Sequence, residues 1–312
     1  MAKIYIEELI AAIPANFNYT IKGEIDKAFV TNALPTMDAN EESITFIASD
    51  RSQEEKKSWI NETQSKVIIT NIKVSVPEKI NIYTDEPKIL FSYLVGKFFV
   101  KEKKAEIHST AVISDSARIG KRCYIGPNSI IGNDVIIGDN CIIYGNVTVN
   151  DRVTIGNNVK VQSGTVIAGE GFGYLKSDKL GVINFPHIGG VIIEDNVEIG
   201  ANNTIDRGAL ANTILRKDVK TDSLVHIAHN VIIGERTLIM ANAMFSGSVR
   251  VGKDCWIAPS SSIRDTITIG DNVTVGLGAV VTKSIPANQV WTGNPARELR
   301  EFIKLQNKIK SL

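Results

Sequence analysis

Residues 119–161 read IGKRCY IGPNSI IGNDVI IGDNCI IYGNVT VNDRVT IGNNVK V, with a branched aliphatic residue at every sixth position. The same spacing holds without a miss from Ile107 to Ile167. A period of six fits neither a helix of 3.6 residues per turn nor the two-residue alternation of a simple strand. It is typical of a coil of short strands in which each turn buries one aliphatic residue per flat side. The stretch therefore predicts a mainly β, repetitive fold.

The repeat has two interruptions. It stops after Ile167, restarts with Ile193, and changes phase between Ile205 and Leu215 before it runs on to Val281. Three hexads make one triangular coil, so the two series predict about nine coils. Coils stacked at ~4.8 Å give a prism on the order of 40–45 Å long.

The first interruption, residues 168–187, is long for a compact repeat, and long loops are usually functional. It contains GEGFGY at residues 169–174. A dinucleotide-binding site would need a strand before these glycines and a helix after them, and neither is predicted. We therefore expect a mobile lid that carries aromatic side chains over a neighbouring site.

Residues 1–104 lack the repeat and predict a small α/β domain, followed by the coil domain (105–293) and a C-terminal amphipathic helix (294–312). Pro87 in a first turn, followed by apolar residues at helical spacing, predicts one of the N-terminal helices. The other predicted elements are helices over Tyr5–Phe17 and Gln53–Ile60 and strands over Ser43–Ala48 and Lys66–Thr70.

The charge balance argues against a nucleic-acid partner. The 35 basic and 34 acidic residues leave a formal net charge of +1, whereas a nucleic-acid footprint needs a basic face. Acidic residues within MAKIYIEELI make a poor signal peptide, and the longest apolar stretch, 89–100, is too short to span a bilayer. We therefore expect a cytoplasmic location.

The cysteines Cys123, Cys141 and Cys255 each lie four residues after an aliphatic anchor. Other repeats place small or medium side chains in that slot, so the cysteines are interpreted as packing groups. They form no cluster with ligand spacing, and the sequence predicts no metal site.

The segment VHIAHNVIIG (225–234) carries the most informative histidines. His226 precedes the anchor Ile227, and His229 follows it by two positions, which predicts a corner location facing out of the prism. Imidazole titrates near neutrality and suits a general base acting on an alcohol or amine. Either Asp222 or Asp206 could orient the ring through its other nitrogen.

The chain resembles the hexapeptide acyltransferases and, among them, the UDP-3-O-acylglucosamine N-acyltransferases of lipid A biosynthesis. The matching stretches are SGTVIAGEGFGY (163–174), VEIGANNTIDRGAL (197–210), IAHNVIIG (227–234) and the N-terminal ITF (44–46). The resemblance implies a left-handed parallel β-helix that assembles as a homotrimer, with its active sites between neighbouring prisms.

The resemblance also implies roles for individual residues. His229 matches the base that deprotonates the 2-amine of a UDP-linked glucosamine, and Gly247 matches the glycine whose N–H faces the oxyanion. Phe46 matches the aromatic residue of an N-terminal uracil pocket. The further substrate-binding candidates lie in or beside the loop and the histidine segment: Phe172, Tyr174, His187 and His226. The implied acyl donor is the phosphopantetheine thioester of acyl carrier protein, without a bound cofactor.

Three positions depart from the family. Ser49 and Ser52 replace an Asn and a Tyr of the uracil site, and Thr266 replaces a second histidine.

The tail at 276–298 resembles that of acetyl-CoA-dependent sugar acetyltransferases, so N-acetylation of a nucleotide-linked amino sugar for surface polysaccharide is a second hypothesis. A non-catalytic scaffold is the third hypothesis.

Basic residues of the last helix could bind acyl carrier protein: Arg297, Arg300, Lys304, Lys308 and Lys310. Membrane contact is expected to be at most peripheral, through a lipid substrate.

Overall fold

The computed structural model describes residues 2–47, 50–74, 76–101 and 103–310. The chain divides into two compact units, Met1–Glu102 and Lys103–Leu312. The core of the second unit is one continuous cluster of aliphatic residues, whereas the first unit has two separate clusters. Among the described residues, no helix is long and apolar enough to cross a membrane.

The N-terminal unit is an α/β structure built on a five-stranded sheet of order β2-β7-β6-β5-β4. Strand β2 runs antiparallel to β7, and the other neighbours are parallel. Its strands are β1 (Ile4–Tyr5), β2 (Tyr19–Lys22), β3 (Phe29–Val30), β4 (Asn32–Ala33), β5 (Ser43–Phe46), β6 (Val67–Thr70) and β7 (Ile80–Thr84), and its helices are α1 (Ile6–Ala11), α2 (Gln53–Glu62) and α3 (Pro87–Phe98).

Strand β6 is buried on both sides, as expected of a central strand covered by helices. Val67 and Ile69 pack in one cluster with Leu90 of α3. Ile68 points the other way and packs with Ile60 of α2. Successive residues of a strand face opposite sides, so one short apolar run supplies both halves of this core.

Several predicted boundaries in this unit were wrong. Helix α1 ends at Ala11 rather than near Phe17, because Pro14 has no N–H to donate and disfavours helical backbone at the residue before it. Strand β5 ends at Phe46, and Ala48 lies outside the described residues. The predicted helices at Gln53 and Pro87 are confirmed, and α2 runs on to Glu62.

The second unit is a coil whose strands line three flat faces. Face A contains Arg118–Ile119, Ile136–Ile137, Val153–Ile155, Val191–Ile193, Thr213–Leu215, Ile232–Ile233, Arg250–Val251 and Thr268–Ile269. Face B contains Glu106–Ile107, Tyr124–Ile125, Ile142–Ile143, Lys160–Val161, Glu198–Ile199, Lys220–Thr221, Leu238–Ile239, Trp256–Ile257, Thr274–Val275, Val290–Thr292 and Arg297–Glu298. Face C contains Val112–Ile113, Ile130–Ile131, Thr148–Val149, Val166–Gly169, Thr204–Asp206, His226–Ile227, Met244–Phe245, Ser262–Ile263 and Val280–Val281.

The register of the strands follows from the six-residue period. Ile119 pairs with Ile137 on face A and Ile125 with Ile143 on face B, in parallel and three hexads apart within the uninterrupted repeats. Face B has ten parallel strands before its last, antiparallel one, so the coil has about ten turns rather than the predicted nine. The parallel β-helix is confirmed, whereas its left-handed sense remains a prediction from the resemblance.

Glycine after the anchor serves close approach between coils, not a turn angle. The left-handed backbone falls instead on the third residue after the anchor, for example Asn128 (φ 57°) and Asn140 (φ 59°). A Cβ on Gly126 would lie 2.5 Å from the backbone N of Gly145 in the next coil. The smallest residue is therefore needed for stacking, and Asn tolerates the turn because it visits the left-handed region readily.

The predicted interruption at 168–187 carries a two-stranded antiparallel hairpin, Tyr174–Ser177 with Gly181–Asn184. Face A resumes at Val191, which pairs with Val153. The second interruption lies beside the first, because the N–H of Arg207 donates to the carbonyl of Gly169 at 2.9 Å. Both insertions therefore leave the coil after neighbouring strands of face C.

The C-terminal helix α4 (Leu299–Lys310) is confirmed, but it begins at Leu299 rather than Asn294. Arg297 and Glu298 first pair antiparallel with face B. The carboxylate of Glu298 then accepts the backbone N–H of Arg300 at 2.7 Å, which caps the helix at its start.

The three cysteines are free and buried, which confirms their packing role. Cys141 is fully buried, and its Sγ lies 3.1 Å from the carbonyl oxygen of Gly156. Burial raises the pKa of the Cys141 thiol to about 12, so the reactive thiolate is scarce at neutral pH.

Candidate functional site

A cavity of about 410 Å³ opens at the corner that follows face C. Three of its residues come from successive coils at that corner: His229, Gly247 and Thr266. Backbone hydrogen bonds hold these coils together, from Ser248 N–H to His229 O at 2.9 Å and from Thr266 N–H to Gly247 O at 3.0 Å. The same ladder that builds the coil therefore sets the vertical spacing of the site.

The ring of His229 is half-buried, and the hydrogen bond of its Nδ1 assigns its tautomer. Asn230 Oδ1 accepts the backbone N–H of Ala209 at 2.7 Å, which fixes that atom as the oxygen. His229 Nδ1 lies 3.3 Å from the same oxygen and must therefore carry the proton. This leaves Nε2 with a free lone pair, as a general base requires.

Gly247 lies directly against the base. A Cβ on this residue would lie 2.6 Å from both Cε1 and Nε2 of His229, so the position accepts only glycine without displacing the ring. Its N–H makes no hydrogen bond to any residue in the described part of the chain. A free backbone N–H beside a base is the arrangement that stabilises a developing oxyanion in acyl transfer.

A second histidine, His226, lines the same cavity beside Asp206. Its Nδ1 lies 2.7 Å from Thr204 Oγ1, and its Nε2 lies 3.9 Å from Asp206 Oδ2. Burial raises the pKa of Asp206 to about 6 and lowers the pKa of His226. Burial thus favours the neutral form of both groups, which makes the pair a hydrogen-bonding surface rather than a strong ion pair.

The raised pKa of Asp206 makes folding stability depend on pH. Between its ordinary value of 3.8 and about 6, the folded state binds more protons than the unfolded state, so the free energy of unfolding falls as pH rises through this window. We expect Asp206→Asn to gain stability over the wild type across the window, by up to ~3 kcal/mol. Urea unfolding of both proteins between about pH 4 and about pH 7 measures this. A difference that does not change with pH would contradict burial as the cause.

The predicted binding residues of the insertion loop differ in their exposure to solvent. Phe172 is 81% exposed, lines the cavity, and packs edge-on against Tyr174 with ring centroids 5.0 Å apart. His187 is instead buried, and its ring lies 5.0 Å from that of His229. Arg207 fastens the base of the loop, because its guanidinium donates to the carbonyls of Ala168 and Asp151 at 3.2 and 3.0 Å.

Asp222 does not orient His229. It is exposed, and its carboxylate accepts the backbone N–H of Ser223 at 2.7 Å at the corner after face B. Asn230 contacts Nδ1 of His229 instead, and it directly follows that histidine in the segment IAHN. Asp206 lines the cavity, but its neighbour there is His226.

The N-terminal candidates belong to the other unit. Phe46 is half-buried, and its ring packs on Phe91 with centroids 4.8 Å apart. Ser52 caps helix α2: its Oγ accepts the N–H of Glu55, whose carboxylate accepts the N–H of Ser52 in return. A capping role accounts for serine at that position. Ser49 lies outside the described residues.

Two family profiles match the coil. Residues 134–169 and 248–283 match the bacterial transferase hexapeptide (six repeats), and residues 116–151 and 230–259 match the hexapeptide repeat of succinyl-transferase. Two segments of this parallel β-helix are thus similar to hexapeptide repeats of bacterial transferases.

Curated proteins similar to this chain are named UDP-3-O-acylglucosamine N-acyltransferase. The protein of Caulobacter sp. is 39% identical over 144 residues, which is 46% of this chain and 42% of the relative. That of Helicobacter hepaticus is 37% identical over 150 residues, 48% of this chain and 46% of the relative. The chain thus spans less than half the length of these relatives.

Solved structures with a similar fold include a UDP-N-acetylglucosamine acyltransferase from Bacteroides fragilis. It is 26% identical with a TM-score of 0.56, over 62% of this chain and 73% of that chain. The UDP-N-acetylglucosamine O-acyltransferase of Moraxella catarrhalis has a TM-score of 0.57 at 23% identity, over 64% of this chain and 77% of that chain. The second likeness concerns the fold alone.

Proposed function

We propose that this protein is an N-acyltransferase that moves a 3-hydroxyacyl group from acyl carrier protein to the 2-amine of UDP-3-O-acylglucosamine, in lipid A biosynthesis. The observation that supports this best is the pairing of a free His229 Nε2 with the free N–H of Gly247 at an open corner. The names of the similar proteins supply the substrates of the proposal.

In the proposed reaction the amine nitrogen attacks the thioester carbonyl. His229 Nε2 takes a proton from the amine as the C–N bond forms, and the N–H of Gly247 donates to the oxygen that becomes negative. The C–S bond then breaks, and protonated His229 gives its proton to the leaving sulfur, so that the carrier leaves as a thiol and the base is regenerated. Asn230 keeps His229 in the required tautomer through Nδ1.

Assembly as a homotrimer is part of the proposal. The insertion hairpin exposes Leu175, Leu180 and Val182 by 52%, 70% and 67%. Several exposed apolar side chains on one short hairpin indicate an interaction surface, and a second copy of the chain is the occupant we propose. The hairpin starts next to Phe172, so a neighbouring copy seated there would help to close the cavity.

The remaining partners follow from the resemblance. We propose that Phe46, whose ring is half-buried, stacks on the uracil of the acceptor. Helix α4 carries basic residues in its last turn, which suits an acidic acyl carrier protein. No metal ion takes part in the proposed reaction.

A comparison of acyl donors tests the proposed function. The purified protein receives UDP-3-O-acylglucosamine with 3-hydroxyacyl thioesters of acyl carrier protein or with acetyl-CoA, and the products are identified by mass. We expect an acyl amide from the carrier thioesters. Transfer from acetyl-CoA alone would favour an N-acetyltransferase, and no transfer from any donor would favour the non-catalytic scaffold.

A further inference from the structure

His187 is the most unusual polar residue of the coil unit. Its ring is only 4% exposed, and neither Nδ1 nor Nε2 has a hydrogen-bond partner among the described residues. A neutral imidazole carries one donor and one acceptor, and leaving either unpaired in the interior destabilises the folded state. A phenylalanine would fill the same space without that cost. The position therefore indicates a partner that the free chain does not supply.

Two glycines cover this ring at very short range. A Cβ on Gly171 would lie 2.7 Å from His187 Nε2, and a Cβ on Gly173 would lie 2.7 Å from Cε1. Between them, Phe172 points outward and lines the cavity. The short segment 171–173 is thus both the cover of His187 and part of the cavity wall. Displacing it would bring Nε2 to the cavity.

His187 also contacts the proposed base. Its ring meets that of His229 edge to face, with centroids 5.0 Å apart and planes at 71°. A positive charge on His187 at this distance would oppose proton uptake by His229. A neutral hydrogen-bonding group of a ligand therefore fits His187 better than a phosphate does.

We propose that His187 is a binding residue for the acyl acceptor. Its ring nitrogen makes a hydrogen bond to a hydroxyl or carbonyl oxygen of the sugar when segment 171–173 moves aside. The inference rests on the proposed function, since it places the acceptor beside His229. It adds a further imidazole to the site beside those of His229 and His226, one that binds the acceptor and takes no part in proton transfer.

Two substitutions distinguish the contribution of the aromatic ring of His187 from that of its nitrogens. His187→Phe keeps the ring and removes both nitrogens, while His187→Gln keeps hydrogen bonding and removes the ring. We expect His187→Phe to bind UDP-3-O-acylglucosamine about 10-fold more weakly, since one hydrogen bond is lost. The ligand-free variant should melt about 2–4 °C higher than the wild type, because the unpaired nitrogens are gone. His187→Gln should retain part of the affinity.

Calorimetric titration of the full chain with UDP-3-O-acylglucosamine gives the affinities, and thermal unfolding gives the stabilities. His108→Phe is the matched control, because His108 Nδ1 already has a partner in Thr110 Oγ1. Wild-type affinity in His187→Phe would overturn the inference and leave the proposed function standing. No binding to the wild type would instead refute the proposed function, and this inference with it.

Discussion

Replacing His229 with alanine is expected to lower the rate of acyl transfer by about 100- to 10,000-fold, the usual contribution of a general base. The half-buried ring holds Nε2 at the cavity through its Nδ1 bond to Asn230, and alanine removes the proton acceptor altogether. The fold should survive, because the side chain lies outside the aliphatic core of the coil. Rates at saturating and limiting acceptor measure the effect, with unfolding temperature as a check on folding.

The control for this substitution is His108→Ala. His108 also lies in the coil unit, but it does not line the cavity. We expect that variant to transfer acyl groups at the wild-type rate. An unchanged rate in His229→Ala would remove the residue from the mechanism and favour a scaffold role for the coil.

Replacing Gly247 with alanine is expected to reduce kcat/KM by about 100-fold, because the new methyl group displaces the base. The Cβ would lie 2.6 Å from Nε2 of His229, and only the imidazole end of that side chain can move out of its way. Misplacing a catalytic group by about 1 Å costs about 100-fold in rate. Alanine keeps the backbone N–H, so the loss measures the position of the ring and not the oxyanion donor.

A double variant tests this explanation directly. If the methyl group acts through His229, Gly247→Ala should cause little further loss in a protein that already carries His229→Ala. Gly96→Ala is the control, since a Cβ there meets nothing within 4 Å on helix α3. A full additional loss in the double variant would show that the methyl group blocks the substrate instead.

The six-residue period was sufficient to predict the coil, its three-hexad register and the inward position of the cysteines. It also predicted that His229 lies at a corner, because the position two residues after an anchor is repeated in every coil. The reason for the glycines after the anchors could not be predicted from the period. Only the stacked coils reveal that a Cβ there would strike the backbone of the next turn.

Contacts across an interruption could not be predicted. His187 ends an insertion whose path has no period, so its contact with His229 depends on how the hairpin folds back. The choice between Asp222 and Asp206 as the partner of His229 was undecidable for a related reason. Neither residue fills that position, since Asn230 reaches the ring from the adjacent residue.

The stacking of His229 under Gly247 has a mechanical consequence. The two residues are joined by the backbone bond from Ser248 N–H to His229 O, at 2.9 Å, and not by packing of mobile side chains. The separation between the backbones of His229 and Gly247 is therefore a repeat distance of the ladder, about the inter-strand spacing of ~4.8 Å. Thermal motion can loosen the insertion that covers this site, but it cannot draw the two backbones apart without separating two turns of the coil.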